Sequence, residues 1–381
     1  ARRCADEVGN PILPGYTASK IRWLRNHNRA AYDAMARILL PHDYLNFYLT
    51  GEYFMECGDA SGTGLLDIRS RTWHSGILAA LDNERDLSNC LPRLIRAGDV
   101  GGQLLPAIAE PLGLPAGIPV ACGGGDNMMA ALGTGNVAPG RLTMSLGTSG
   151  TMFAYSDSPC IDPQGDLAAF CSSNGGWLPL LCTMNCTVAT ELARDLFRME
   201  ISSLEHVISE SQPGANGVVV LPFYNGERTP NLPNGKGCIM GLDVNNMSQA
   251  NIMQASMESA VFGLRAGLDA FARVGCVISD IRLTGGGSRS PSWRQMIADI
   301  FSLPVRVPKL DEGAALGAAM NAMLVHQGLG EDSAASAALI DEHIAFNDSL
   351  NSEPNPANTE IYQQTYQRYL QHVDLVTPIF K

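Results

Sequence analysis

The stretch from Ile118 to Tyr155 limits what this chain can be more than any other. An apolar run, Ile118 to Cys122, predicts a strand that breaks into Gly123, Gly124 and Gly125 and then a lone acid, Asp126. A second predicted strand, Arg141 to Ser145, breaks at Gly147-Thr148-Ser149-Gly150 and resumes as Thr151 to Tyr155. A carboxylate after a glycine turn can take the proton of a hydroxyl, and a strand–GTSG–strand hairpin offers backbone N–H groups and hydroxyls to phosphate oxygens. Both are parts that phosphoryl transfer requires.

Other phosphate and cofactor motifs are absent. No G-x-x-x-x-G-K-[ST] occurs, and Gly235-Lys236-Gly237 lacks both the upstream glycine and the hydroxyl residue. No G-x-G-x-x-G follows a predicted strand, which disfavours a dinucleotide site. The net charge of −12, with no Lys/Arg cluster, argues against nucleic acid or an anionic membrane as partner and suits a neutral substrate such as a sugar. The ten cysteines are scattered without a C-x-x-C, Cys182 and Cys186 being the closest pair, so buried thiols in a reducing cytoplasm are expected rather than zinc or disulfides. No apolar run approaches a membrane span.

With 381 residues the chain can hold two domains. Helices are expected from Thr17, over Arg29–Leu39, and from Leu40 to a glycine stop at Thr50-Gly51. Cys57–Gly64 reads as a polar, glycine-rich turn in which Asp59 could bind a ligand, although most such acids bond their own backbone. Beyond the central stretch, a helix is predicted over Thr187–Arg198, and Gly217–Tyr224 is a buried strand leading into Gly226-Glu227-Arg228-Thr229-Pro230. Asn246–Val274 should be the longest helix, its Met253, Met257, Val261, Leu264, Leu268 and Phe271 forming one apolar face that belongs to the core. A strand over Asp280–Thr284, a turn at Gly285–Gly287 and a helix from Ser290 follow. Glu312–His326 is an alanine-rich helix suited to close packing. Gly328–Glu353 reads as a weakly structured surface excursion, and a final helix over Thr359–Val373 docks through Tyr362, Tyr366 and Tyr369. Strand–turn–helix units in both halves indicate α/β architecture, with the best boundary near Ser156.

Singly these motifs are weak; their order is not. Glycine turn with acid, GTSG hairpin, GERTP loop and strand–GGG–helix, together with Leu40-Pro41-His42-Asp43-Tyr44-Leu45, Asp59-Ala60-Ser61-Gly62-Thr63 and Ala314–Ala319, resemble the FGGY carbohydrate kinases over nearly the whole chain. Asp126-Asn127 with the GERTP loop is most similar to the xylulose-type members. The resemblance implies an α/β, two-domain actin/hexokinase-like (ribonuclease H-like) ATPase fold with sugar and MgATP in the cleft between domains. It implies a sugar-binding domain over 1–156, a nucleotide-binding domain over 157–345, and a surface segment with a docked helix over 346–381. Asp126 would be the general base and, with Asn127, would hold the sugar. Gly147, Thr148 and Ser149 would bind the phosphates of ATP, and Gly286, Gly287 and Ser290 would border the nucleotide. Glu227 and Arg228 would lie on a cleft loop. Mg2+ would come on the ATP phosphates, with no direct protein ligand beyond a water-mediated link to Asp126. The expected reaction is phosphorylation of a ketopentose primary hydroxyl, D-xylulose to D-xylulose 5-phosphate, by a cytoplasmic enzyme forming a homodimer.

Two family segments have no match: an opening strand with Asp-x-Gly-Thr, and a Met-His-Gly that touches the sugar. The first domain is therefore expected to be incomplete, and this stretch alone to turn over poorly. Ribulose, gluconate, fuculose or glycerol remain alternative acceptors. A non-catalytic binding remnant and a sugar-sensing ATPase remain alternative classes.

Overall fold

Residues 2–330 and 332–381 are described by a computed structural model. The chain forms two compact units that share it in alternation: 1–139, 155–179 and 312–344 in the first, 140–154, 180–311 and 345–381 in the second. Both units cross the expected boundary at Ser156. The GTSG hairpin falls in the second unit, and the alanine-rich helix after Glu312 falls in the first.

The second unit is built on a five-stranded sheet: β1 (Gly140–Leu146), β2 (Gly150–Ala154), β3 (Leu180–Thr183), β4 (Ile278–Thr284) and β5 (Val305–Arg306), in the order β5-β4-β1-β2-β3. β1, β4 and β5 run parallel, whereas β2 and β3 are antiparallel additions. Leu142, Met144 and Leu146 on β1 and Met152 on β2 are buried, and the Gln249–Arg273 helix packs on the sheet. Its Met253, Met257, Val261, Leu264 and Phe271 are fully buried, as the three-and-four spacing predicts, whereas Leu268 on the same face is only half-buried. The helix has a rival in length, for Pro356–Phe380 also spans 25 residues. That C-terminal helix docks through Tyr362, Tyr366 and Tyr369, which surround Phe262 at ring separations of 6.3, 5.7 and 5.5 Å.

In the first unit the helix Asp126–Gly133 crosses the helix Gly313–Gln327 with their backbones in contact. A Cβ at Gly317 would fall 1.7 Å from the carbonyl oxygen of Met129, and one at Gly133 1.8 Å from that of Gly313. Small residues here are a condition of the fold. The helix carrying Asp126 is thereby fixed by a segment far away in sequence.

Three expectations are corrected. The helix from Arg29 ends at Ala34, not Leu39, because Met35 turns extended and the Arg85 guanidinium takes the carbonyls of Tyr32 and Met35. Cys57–Gly64 is not a loose turn but a short helix, Cys57–Ala60, running into a 3-10 turn and closed by Gly64 at φ 71°. The excursion after Gly328 contains a helix, Ser333–His343, capped by Asp332 and anchored by the buried Ile340. Its many alanines weaken the apolar periodicity that marks a helix in sequence. Among the described residues no helix is long and apolar enough to cross a membrane.

Candidate active site

In the first unit, the strand Pro119–Ala121 ends in the triple glycine, and Gly125 takes an extended conformation as N-cap of the Asp126 helix. Asp126 is exposed at the first helical position, where the helix dipole favours a carboxylate. Its Oδ1 accepts from Asn127 N at 2.8 Å and Asn127 Nδ2 at 3.1 Å. The Asp126-Asn127 pair thus comes as one preset unit, with Oδ2 taking no bond among the described residues.

Polar side chains stand against the glycines. A Cβ at Gly125 would lie 3.2 Å from Asp59 Oδ1, one at Gly124 2.9 Å from Ser173 Oγ, and one at Gly123 3.9 Å from the His42 ring. His42 bridges two acids, Nδ1 at 2.7 Å from Asp59 Oδ2 and Nε2 at 3.1 Å from Asp43 Oδ1. Beneath it Glu56 is fully buried and accepts from the N–H groups of Gly58 and Asp59, capping the short helix. Burial pushes Glu56 up to about 7 and Asp43 up to about 6, each opposed by the nearby His42. Burial also works against a charged His42, but its hydrogen bond to Asp59 and the surrounding carboxylates outweigh it and raise its pKa.

Asp59 is therefore paired with a histidine rather than with its own backbone, and neither His42 nor Glu56 was singled out by sequence reasoning. Residues 42 and 59 meet only through the fold. The signal was present in the PHDYL and GDASG segments, but nothing local links them.

In the second unit the parallel partners β1 and β4 end side by side, Ser145 opposite Thr284. The two glycine turns therefore leave the same end of the sheet, at the carboxyl ends of parallel strands, where α/β folds bind ligands. They touch: a Cβ at Gly285, which sits at φ 85°, would lie 2.5 Å from the Leu146 carbonyl oxygen, and one at Gly287 2.8 Å from the Leu146 side chain. Gly286 is exposed, with nothing within 4 Å of its missing Cβ. Ser290 caps the helix Pro291–Phe301, accepting from Trp293 N at 3.1 Å and donating to Glu205 at 2.5 Å. Its hydroxyl is thus engaged within the protein.

The turn Gly147-Thr148-Ser149 is closed by Gly147 N donating to Ser149 O at 3.1 Å. The carbonyls of Gly147 and Thr148 accept from Thr187 N and Cys186 N, both at 3.0 Å, and Thr187 Oγ1 adds a bond of 2.9 Å to the Gly147 carbonyl. In a trans peptide the N–H points opposite the carbonyl. The amides of Thr148 and Ser149 consequently face away from residues 186–187, in a turn whose Thr148 and Ser149 are exposed. Two outward amides and two exposed hydroxyls are donors of the kind that anion-binding turns use.

Glu227 is buried and Arg228 exposed. The Glu227 carboxylate accepts from Met184 N at 2.6 Å, Arg228 N at 2.7 Å, Asn185 Nδ2 at 3.0 Å and Asn185 N at 3.3 Å. Among the described residues no group of three or more His, Cys, Asp or Glu side chains is arranged to hold a metal ion.

The N-terminal domain profile of the FGGY family of carbohydrate kinases matches residues 1–133, and the C-terminal domain profile matches residues 142–325. The chain is 44% identical over 368 residues to the xylulose kinase of Haemophilus influenzae, covering 97% of this chain and 74% of that protein. The crystal structure of a "xyloylose kinase" from Brucella ovis superimposes with a TM-score of 0.90 at 30% identity, over 99% of this chain and 76% of the other. The xylulose kinase of Bifidobacterium adolescentis gives 0.82 at 30% identity, over 95% and 74%. These matches establish the two-domain actin-like ATPase fold, and the chain belongs to the FGGY family of carbohydrate kinases, which are phosphotransferases.

Proposed function

We propose that the protein phosphorylates the primary hydroxyl of D-xylulose with ATP, Asp126 acting as general base. The observation that carries the reading is the fixed Asp126-Asn127 pair at an open helix N-terminus. With Oδ1 held by Asn127, Oδ2 is the oxygen free to accept the hydroxyl proton as the O–P bond forms. Asn127 Nδ2 has a second hydrogen with which to meet a sugar oxygen. Asp59, tied to His42, stands beside the same turn as a further acceptor for a polyol.

The outward amides of Thr148 and Ser149 would hold phosphate oxygens, and the exposed Gly286 and the close-packed Gly287 would border the nucleotide. Ser290 serves that border as the cap that fixes its helix. Mg2+ would arrive on the ATP phosphates, since it commonly binds through substrate phosphates and waters, and would neutralise charge on the transferring group. Similarity to proteins described as xylulose kinases supports the choice of sugar.

ADP release measured with D-xylulose, D-ribulose, gluconate and glycerol, for the wild type and Asp126→Asn, tests this. Relative rates decide. Xylulose should be preferred, and Asp126→Asn should lower kcat about 10²–10⁴-fold with KM changed little. An unchanged kcat in Asp126→Asn removes the base, and preference for another acceptor removes the sugar.

A further inference from the structure

Glu227 sits at the start of a hydrogen-bonded chain that ends at the phosphate turn. Gly226, at φ 70°, turns its loop, and the paired backbone bonds between Glu227 and Leu232, at 2.8 and 3.0 Å, close it. The buried carboxylate then gathers the N–H groups of Met184 and Asn185 and the Asn185 side chain, whose Nδ2 also donates to Gly226 O at 2.7 Å. Residues 184–185 lead directly into Cys186 and Thr187, which hold the carbonyls of Gly147 and Thr148.

Turning those two carbonyls inward is what turns the Thr148 and Ser149 amides outward. We infer that Glu227 is a positioning residue: acting through Asn185 and Thr187, it presets the Gly147–Ser149 amides for the phosphates of a nucleotide. This rests on the proposed nucleotide role of that turn. Among the described residues the hydrogen bonds of its buried side chain go to Met184, Asn185 and Arg228, so it acts on the turn through them.

The chemistry admits no simple substitute. Both oxygens face N–H donors, so a glutamine would aim its own NH2 at one of them. Thr187→Val removes a single link, the hydroxyl bond to Gly147 O, and keeps the shape of the side chain.

The test compares binding of ADP and of adenosine to the full chain, by calorimetry and ligand-observed NMR, in wild type, Glu227→Gln and Thr187→Val. Misaligned amides weaken phosphate contacts and spare the nucleoside. ADP affinity should fall roughly tenfold or more in Glu227→Gln and about 2- to 12-fold in Thr187→Val, from the worth of an unsatisfied buried group and of one hydrogen bond. Adenosine affinity should stay within about twofold, roughly 0.4 kcal/mol. Equal losses for ADP and adenosine, or no loss for ADP, would overturn the positioning role while leaving the nucleotide site standing. If the wild type binds no ADP, the functional reading fails and this inference with it. Should Glu227→Gln not fold, Thr187→Val answers the same question.

Discussion

Asp126 and Glu227 are two acids whose roles are set by their surroundings. Asp126 is exposed, with one oxygen tied and one open, whereas Glu227 is buried with both oxygens occupied. Sequence points to the first only through the order of motifs around it, since an acid opening a helix is by itself ordinary dipole chemistry. It could not read the second, whose partners Met184 and Asn185 lie on another segment. The His42–Asp59 pair was hidden for the same reason, its two residues lying on separate segments. Ser290 shows a third case: a serine opening a helix is readable, but whether its hydroxyl caps or binds is not. Ser290→Ala should cost about 0.5–2 kcal/mol as a lost N-cap, visible as a lower denaturation midpoint. An unchanged midpoint would mean that the cap contributes nothing.

Among the elements, the crossing of the Asp126 helix and the Gly313–Gln327 helix is the most sequence-dependent. Gly317→Ala would drive a Cβ into the Met129 carbonyl. The expected loss is about 3 kcal/mol or more, the upper end for overpacking, seen as a fall in Tm; an unaltered Tm would refute it. Sequence suggested that the alanine-rich helix packs closely, but not against what.

The joint between the Gln249–Arg273 and Pro356–Phe380 helices carries a pH dependence. Glu258 is wholly buried there, accepting from Gln254 Nε2 and Gly214 N, both at 2.8 Å. Burial pushes it up to about 8 from an ordinary 4.5. The folded state therefore keeps a proton that the unfolded chain releases, so this group's stabilising share is greatest below about pH 4.5 and falls as pH rises towards 8. Glu258→Gln should flatten the decline in denaturant midpoint between pH 5 and 8 relative to wild type. Parallel declines would show that Glu258 is not its source. The tyrosine face of the C-terminal helix was legible from its spacing; a buried acid beneath it had no periodic signature.

For the molecule as a whole, family and fold class were legible because the order of motifs spans nearly the entire chain. The division into units was not, since sequence presents segments in line and the fold alternates them. That alternation gives ligand binding a distinctive footprint. Under the proposed assignment, saturating ADP should slow hydrogen exchange chiefly in 140–154 and 180–311, while xylulose should do so chiefly around 42–59 and 123–133. Protection by ADP confined to 1–139 would reverse the assignment. The same threading bears on how the protein is made. When a ribosome has released residues 1–139, the Asp126 helix still lacks the Gly313–Gln327 helix against which its glycine closes. The earlier-born unit cannot close until residues 312–344 have followed most of the later-born one, so two units begun far apart along the chain are completed almost together.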